Sequence, residues 1–186
     1  MKIIQIGANR GNDDLTNLLN STQPSKFVIV EPMNIHNESI NSCYNWIENK
    51  IIENLAIVKD NKVNIDFYYH VDDGPGYEVS SIDLNHILKH GYHESGIIKI
   101  TVPCININKL LKKHKIINLD ILFIDAEGYD DEIIRSIDFN IYKIDKIYFE
   151  NHHLKTDIND YLKSKGYTVK TNIGTNGWMN LAEFLI

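Results

Sequence analysis

The chain has 186 residues, 43% hydrophobic and 24% charged, an ordinary globular balance that excludes a disordered or low-complexity protein. Its formal net charge of -6 supplies no general attraction for nucleic acid. No apolar run approaches the roughly 18 residues of a membrane span, so no membrane partner is expected. One domain over residues 1–186 is expected at this length. Met1 leads directly into a strand pattern rather than a signal peptide, which predicts a cytoplasmic protein. Cys43 and Cys104 lack metal-type spacing and are expected as buried free thiols.

Strand and helix patterns alternate along the chain. Residues 2–7 read as a strand and 13–20 as a short helix with Leu15, Leu18 and Leu19 on one side. Residues 26–31 form a second strand, ended by Pro32, and 34–50 a helix with Ile40, Tyr44 and Ile47 at helical spacing. Residues 51–58 predict a third strand, and 62–71, rich in β-branched and aromatic side chains, another. The glycines and proline of residues 72–81 mark a loop able to reach over a ligand. Strands at 96–105, 119–125 and 143–150 alternate with helices at 108–114, 130–137 and 156–165, the last ended by Gly166. Residues 167–172 and 178–186 predict a terminal antiparallel hairpin. This order implies an α/β protein with a doubly wound, mostly parallel sheet and one reversed strand.

Two strand ends carry the candidate chemistry. The run 119–125 is almost wholly apolar and belongs inside a parallel sheet, which puts Asp125 and Glu127 at its carboxyl end, where such folds bind ligands. Asp125 and Gly128 also suit a simple helix cap and turn, but a cap needs one acidic residue and this segment supplies several. At the end of the first strand, Gly7 and Gly11 border a tight turn where a ligand can approach the backbone. Neither the G-x-G-x-x-G pattern nor a P-loop is present. Glu31 ends the second strand, the position from which an acid accepts hydrogen bonds from both hydroxyls of a ribose.

Taken together these segments resemble the FkbM family of S-adenosylmethionine-dependent methyltransferases. The matching pieces are residues 6–11, 30–32, 53–57, 124–129 and 148–153, in that order. The resemblance implies a Rossmann-like methyltransferase fold with a seven-stranded sheet and S-adenosylmethionine as cofactor. It also implies a hydroxyl acceptor on a sugar or other small molecule. Carried onto this chain, it implies cofactor contacts from Gly7, Ala8, Asn9, Gly11, Glu31, Pro32 and Ala56. Two features depart from the pattern. The sequence begins at the first strand, without the helices that often precede it, and Phe123 stands where a lysine is often found.

Methyl transfer to an alcohol requires alignment of the acceptor and removal of its proton. Asp125 and Glu150 end neighbouring strands and are expected to face one crevice, with His152 or His153 just beyond. Asp125 is expected to position the donor's amino group or the acceptor hydroxyl, and Glu150 with His152 to supply the base; polar loop roles for His152 and His153 remain open. No metal is expected: Asp125 and Glu150 lack a third ligand. His86, His90 and His93 lack a completing carboxylate and read as a solvated helix face. Asp72 and Asp73 read as turn residues in preference to a metal-binding acidic pair, and Trp178, in the hairpin, as packing in preference to a wall of an acceptor pocket. An NAD-dependent oxidoreductase would share the fold and Glu31, though the third glycine of its fingerprint is missing. A binding module that keeps the fold without the chemistry is the other alternative.

Overall fold

The computed structural model describes residues 1–11, 14–19, 22–152, 154, 157–174 and 176–185. The chain runs β1 (Lys2–Ile6), α1 (Asp14–Leu19), β2 (Lys26–Val30), α2 (Asn37–Cys43), β3 (Lys50–Glu53), β4 (Ala56–Ile57), β5 (Asn64–His70) and α3 (Leu84–Lys89). It continues through β6 (Ile97–Ile105), α4 (Ile107–Lys113), β7 (Asn118–Ile124), α5 (Asp130–Arg135), β8 (Lys143–Glu150), α6 (Ile158–Ser164), β9 (Tyr167–Ile173) and β10 (Met179–Phe184).

Seven strands form one sheet in the order β3-β2-β1-β7-β8-β10-β9. The first five are parallel, and β10 runs antiparallel to both β8 and β9. The expected doubly wound, mostly parallel sheet with a C-terminal antiparallel hairpin is therefore what the chain builds. Successive residues of each central strand point to opposite faces, and both faces are dry. Ile4, Val28, Leu122 and Ile147 pack with Ile107 and Leu110 of α4, Ile133 of α5 and Leu162 of α6. Ile3, Phe27, Ile29 and Phe123 pack on the other face with Leu15 and Leu19 of α1 and Ile40 of α2. Leu18 is 43% exposed and does not join Leu15 and Leu19.

The predicted strand over 51–58 is in fact two strands. It breaks at Asn54, whose side-chain amide donates to the Glu31 carbonyl at 3.0 Å and pairs with the Asn37 amide. Beyond the kink, β4 leaves the main sheet and pairs with β6. The strands expected at 62–71 and 96–105 pair antiparallel as β5 and β6, so both belong to this second, three-stranded sheet. It has a small core of Met33, Ala56, Val58, Phe67, Val102 and Cys104.

The helix expected over 34–50 is shorter as well: a 3-10 turn (Asn34–His36) leads into α2, which stops at Cys43. Ser42 and Asn45 are weak helix formers, and hydrogen bonds from Tyr44 N to Ile40 O and from Ile47 N to Tyr44 O continue the chain as turns. Those turns keep Ile40, Tyr44 and Ile47 buried, so the apolar spacing holds although the helix does not. Cys104 is buried, whereas Cys43 is only half-buried. Among the described residues, no helix is long and apolar enough to cross a membrane.

Candidate active site

The chain reverses its winding about β1, with β2 on one side and β7 on the other, and a crevice opens at the carboxyl ends of these strands. At the end of β1, Gly7 has φ +75°, and a Cβ there would lie 1.7 Å from the carbonyl oxygen of Asp125. Only glycine allows the β1 turn to close against the β7 end. Gly7 N and Ala8 N donate to Val30 O at 3.0 and 3.3 Å, and Gly11 N closes the turn onto Ala8 O at 2.7 Å. Asn9 takes a left-handed conformation at φ +44°, one that asparagine tolerates better than most residues.

This conformation aims the Asn9 backbone N–H at Glu31 Oε2, 2.7 Å away, while Met33 N donates to Oε1 at 2.9 Å. Glu31 is buried, and burial pushes its pKa up to about 7 although both backbone donors favour the charged form. Each carboxylate oxygen has two acceptor positions, so each keeps one for a ligand. The Asn9 side chain donates to Gly76 O at 3.0 Å, tying the 72–81 loop over the turn.

The second half of the site lies at the ends of β7 and β8. Asp125 and Glu150 both line the crevice from these adjacent strands. Asp130, the first residue of α5, locks the two strand ends together: Oδ1 accepts from Ala126 N at 2.8 Å and Oδ2 from Glu150 N at 2.9 Å. Burial, then the charge of Asp125, raises its pKa to about 7. In the sequence Asp130 stands at the start of a predicted helix, and its signal is an acid that begins a helix immediately after an acidic turn. Burial, then the charges of Asp125, Glu127 and Asp130, pushes Glu150 up to about 9. Asp125 and Glu127 are raised as well, mainly by burial, Asp125 further by Asp14 and Glu127 further by Asp125.

The crevice holds about 1120 Å³, above the range of roughly 300–1,000 Å³ usual for one small molecule. Gly7, Ala8, Asn9, Glu31, Pro32 and Ala56 line it together with Asp125 and Glu150. Gly11 is buried behind the turn, where its carbonyl accepts from Thr16 Oγ1 at 2.9 Å and Cys43 Sγ at 2.7 Å. It does not belong to the lining. His152 is exposed and packs edge-on against Trp178 with ring centroids 5.3 Å apart, outside the lining. His153 lies outside the described residues. Trp178 is 56% exposed at the crevice wall rather than packed in the hairpin. Tyr77, Glu78 and Ser80 of the 72–81 loop also face the crevice. Asp73 has the expected turn role, accepting from Val79 N at 2.8 Å, and also accepts from the Tyr92 hydroxyl. His86 is buried and bonded to Glu127 rather than on a solvated face.

No curated protein sequence matches this chain. Among solved structures it is similar to methyltransferase FkbM from Methylobacillus flagellatus, with a TM-score of 0.58 and 13% identity over 98% of this chain and 43% of that one. The chain thus spans less than half the length of that protein. It is also similar to precorrin-6y C5,15-methyltransferase from Geobacter metallireducens, with a TM-score of 0.50 and 13% identity over 98% of this chain and 80% of that one. Both likenesses establish a Rossmann-like methyltransferase fold. The methyltransferase FkbM domain matches residues 5–169, nearly the whole of both halves of the crevice, and the chain belongs to the FkbM methyltransferase family.

Proposed function

We propose that the chain binds S-adenosylmethionine in the half of the crevice between Gly7 and Glu31, and methylates a hydroxyl of a sugar or other small molecule held near Glu150 and Trp178. The observation that carries this reading is the concentration of carboxylates in the wall, whose ionised forms a positive charge favours. Asp14, Glu31, Glu38, Glu78, Asp125, Glu127 and Glu150 line the crevice, and Arg10 is the one lysine or arginine among its described residues. Such a wall suits a cationic cofactor and opposes the pyrophosphate of a dinucleotide, which counts against an oxidoreductase. Glu31 has two unused acceptor positions for a pair of ribose hydroxyls. Leu55, Ala56 and Ile57 provide an apolar wall for a flat base.

S-adenosylmethionine, when bound, supplies an activated methyl group and a positive charge. The remaining tasks fall to the chain. Asp125 orients the cofactor's amino group or the acceptor hydroxyl, and Asp130 fixes the spacing of the two strand ends that carry Asp125 and Glu150. Burial first, and then the charges of Asp125, Glu127 and Asp130, keep Glu150 protonated at neutral pH. In its ionised form, which a nearby positive charge would favour, Glu150 would accept the hydroxyl proton of the acceptor. Trp178 offers an exposed aromatic face against which a sugar ring packs. His152, beyond Trp178, acts through that ring's position rather than as the base.

Incubation of the protein with methyl-labelled S-adenosylmethionine and a panel of sugars and small alcohols tests the assignment. Label should appear as a base-stable methyl ether. Label appearing only on amines or carbon would overturn the hydroxyl assignment, and binding without transfer to any acceptor would favour a non-catalytic module.

A further inference from the structure

The carboxylate missing from the histidine pair in the sequence is supplied by the fold. His86 lies in α3 and His90 caps its C-terminal end, one turn apart with ring centroids at 4.7 Å. Glu127, 37 residues beyond His90 in the turn after β7, places Oε2 2.8 Å from His86 Nε2. One ligand atom from each of His86, His90 and Glu127 lies within 4.8 Å of the others. We propose that these three side chains form a site for a divalent cation of the zinc class.

Several features favour a cation over a simple hydrogen-bonded pair. Two histidines four residues apart on a helix present their rings to the same side, the spacing by which helices chelate zinc. Two nitrogens and one carboxylate oxygen suit zinc, cobalt or nickel, whereas magnesium prefers oxygen alone. Bonds of about 2.0–2.2 Å around a tetrahedral ion set ligand atoms about 3.3 Å apart, so an ion would draw the exposed His90 ring inward and part His86 Nε2 from Glu127 Oε2, now 2.8 Å apart. The carboxylate is already held in place. Glu127 has φ +45°, and its carbonyl accepts from Ser81 Oγ at 2.9 Å, the same hydroxyl that accepts from Asp83 N at the start of α3. Ser81 thereby joins the helix carrying both histidines to the turn carrying the carboxylate. The His86 side chain is buried and the Glu127 side chain is 26% exposed, which leaves the fourth position for water. Because Glu127 also lines the crevice, the cation would brace the crevice wall against α3.

Cation binding is read with neither cofactor nor acceptor present, so it stands or falls apart from the methyl-transfer reading. The full chain is stripped with a chelator and titrated with cobalt chloride. One cobalt per chain should bind, with the intense visible absorption of a four- or five-coordinate ion, and zinc chloride should displace it while magnesium chloride does not. His90→Ala removes an exposed ligand, and His90→Gln keeps its bulk should the alanine variant lose its far-ultraviolet dichroism. Either folded variant should bind cobalt more than about tenfold more weakly, at least the effect of losing an outer-sphere contact. Zinc should also raise the melting temperature of the unsubstituted chain and not that of the variant. Absence of stoichiometric binding, or equal affinity in the folded His90 variant, would leave His86 and Glu127 as a hydrogen-bonded pair and overturn the site.

Discussion

The backbone N–H of Asn9, at the end of the first turn, donates to Glu31 Oε2 at 2.7 Å. That bond ties the glycine-bordered turn after β1 to the acid that ends β2, so the two strongest sequence signals for a cofactor meet in one contact. Glu31→Gln replaces one carboxylate oxygen with an amide that must face either Asn9 N or Met33 N. Donor then meets donor, and one of the proposed ribose contacts loses its charge. Affinity for S-adenosylmethionine should fall by about 1.5–3 kcal/mol, roughly 10- to 150-fold in Kd. Equilibrium dialysis with labelled cofactor checks this, and an unchanged Kd would remove Glu31 from the site.

Glu31 also sets a pH dependence. Its pKa in the free protein lies at about 7 because burial outweighs the two backbone donors, and hydroxyls donating to it favour the charged form. Below about 7 binding must expel a proton, so cofactor affinity should be constant above that pH and fall up to tenfold per unit below it. The effect on folding has the opposite sense. A carboxyl raised from 4.5 to about 7 contributes stability that is present below 4.5 and is lost as pH rises through about 7. Calorimetric titrations across this range should show the affinity slope in the unsubstituted chain and not in Glu31→Gln.

Asp130 is a positioning residue. Asp130→Ala leaves the buried N–H groups of Ala126 and Glu150 without their acceptor, which should cost about 2–4 kcal/mol. The melting temperature should fall by roughly 2–4 °C for each kcal/mol lost. Cofactor affinity should change less than turnover, since the displaced strand ends carry Asp125 and Glu150 rather than Glu31. Scanning calorimetry together with kcat and KM separates the two effects.

Glu150→Gln keeps the shape of the side chain but cannot take a proton. It should lower kcat by about 10²–10⁴-fold with little change in cofactor Kd. Its kcat should also lose the rise with pH expected of the unsubstituted chain as Glu150 ionises. A retained pH profile in Glu150→Gln would transfer the base role elsewhere.

The parallel core was readable because β1, β2, β7 and β8 are short apolar runs that must be covered on both faces, and the βα order then dictates their neighbours. The second sheet was hidden because local pattern shows strand character and not strand partner. The β-branched residues of β5 and β6 gave no sign of pairing with each other, and the break at Asn54 coincides with a contact to Glu31, 23 residues away in sequence. Glu31 and Asp125 could be placed because strand ends define the crevice. The contacts of Asp130 and Glu127 could not, since their partners at Glu150 and His86 lie 20 and 41 residues away. His152 illustrates the converse: proximity in sequence to Glu150 did not place it in the crevice, because the chain turns outward toward Trp178.

The acidic crevice is proposed to take a cationic methyl donor rather than a dinucleotide. Isothermal titration calorimetry of the full chain with S-adenosylmethionine, and separately with NAD, measures this directly. One S-adenosylmethionine per chain should bind saturably, more weakly in Glu31→Gln, and NAD should give no heat of binding. Saturable binding of NAD with none of S-adenosylmethionine would contradict it.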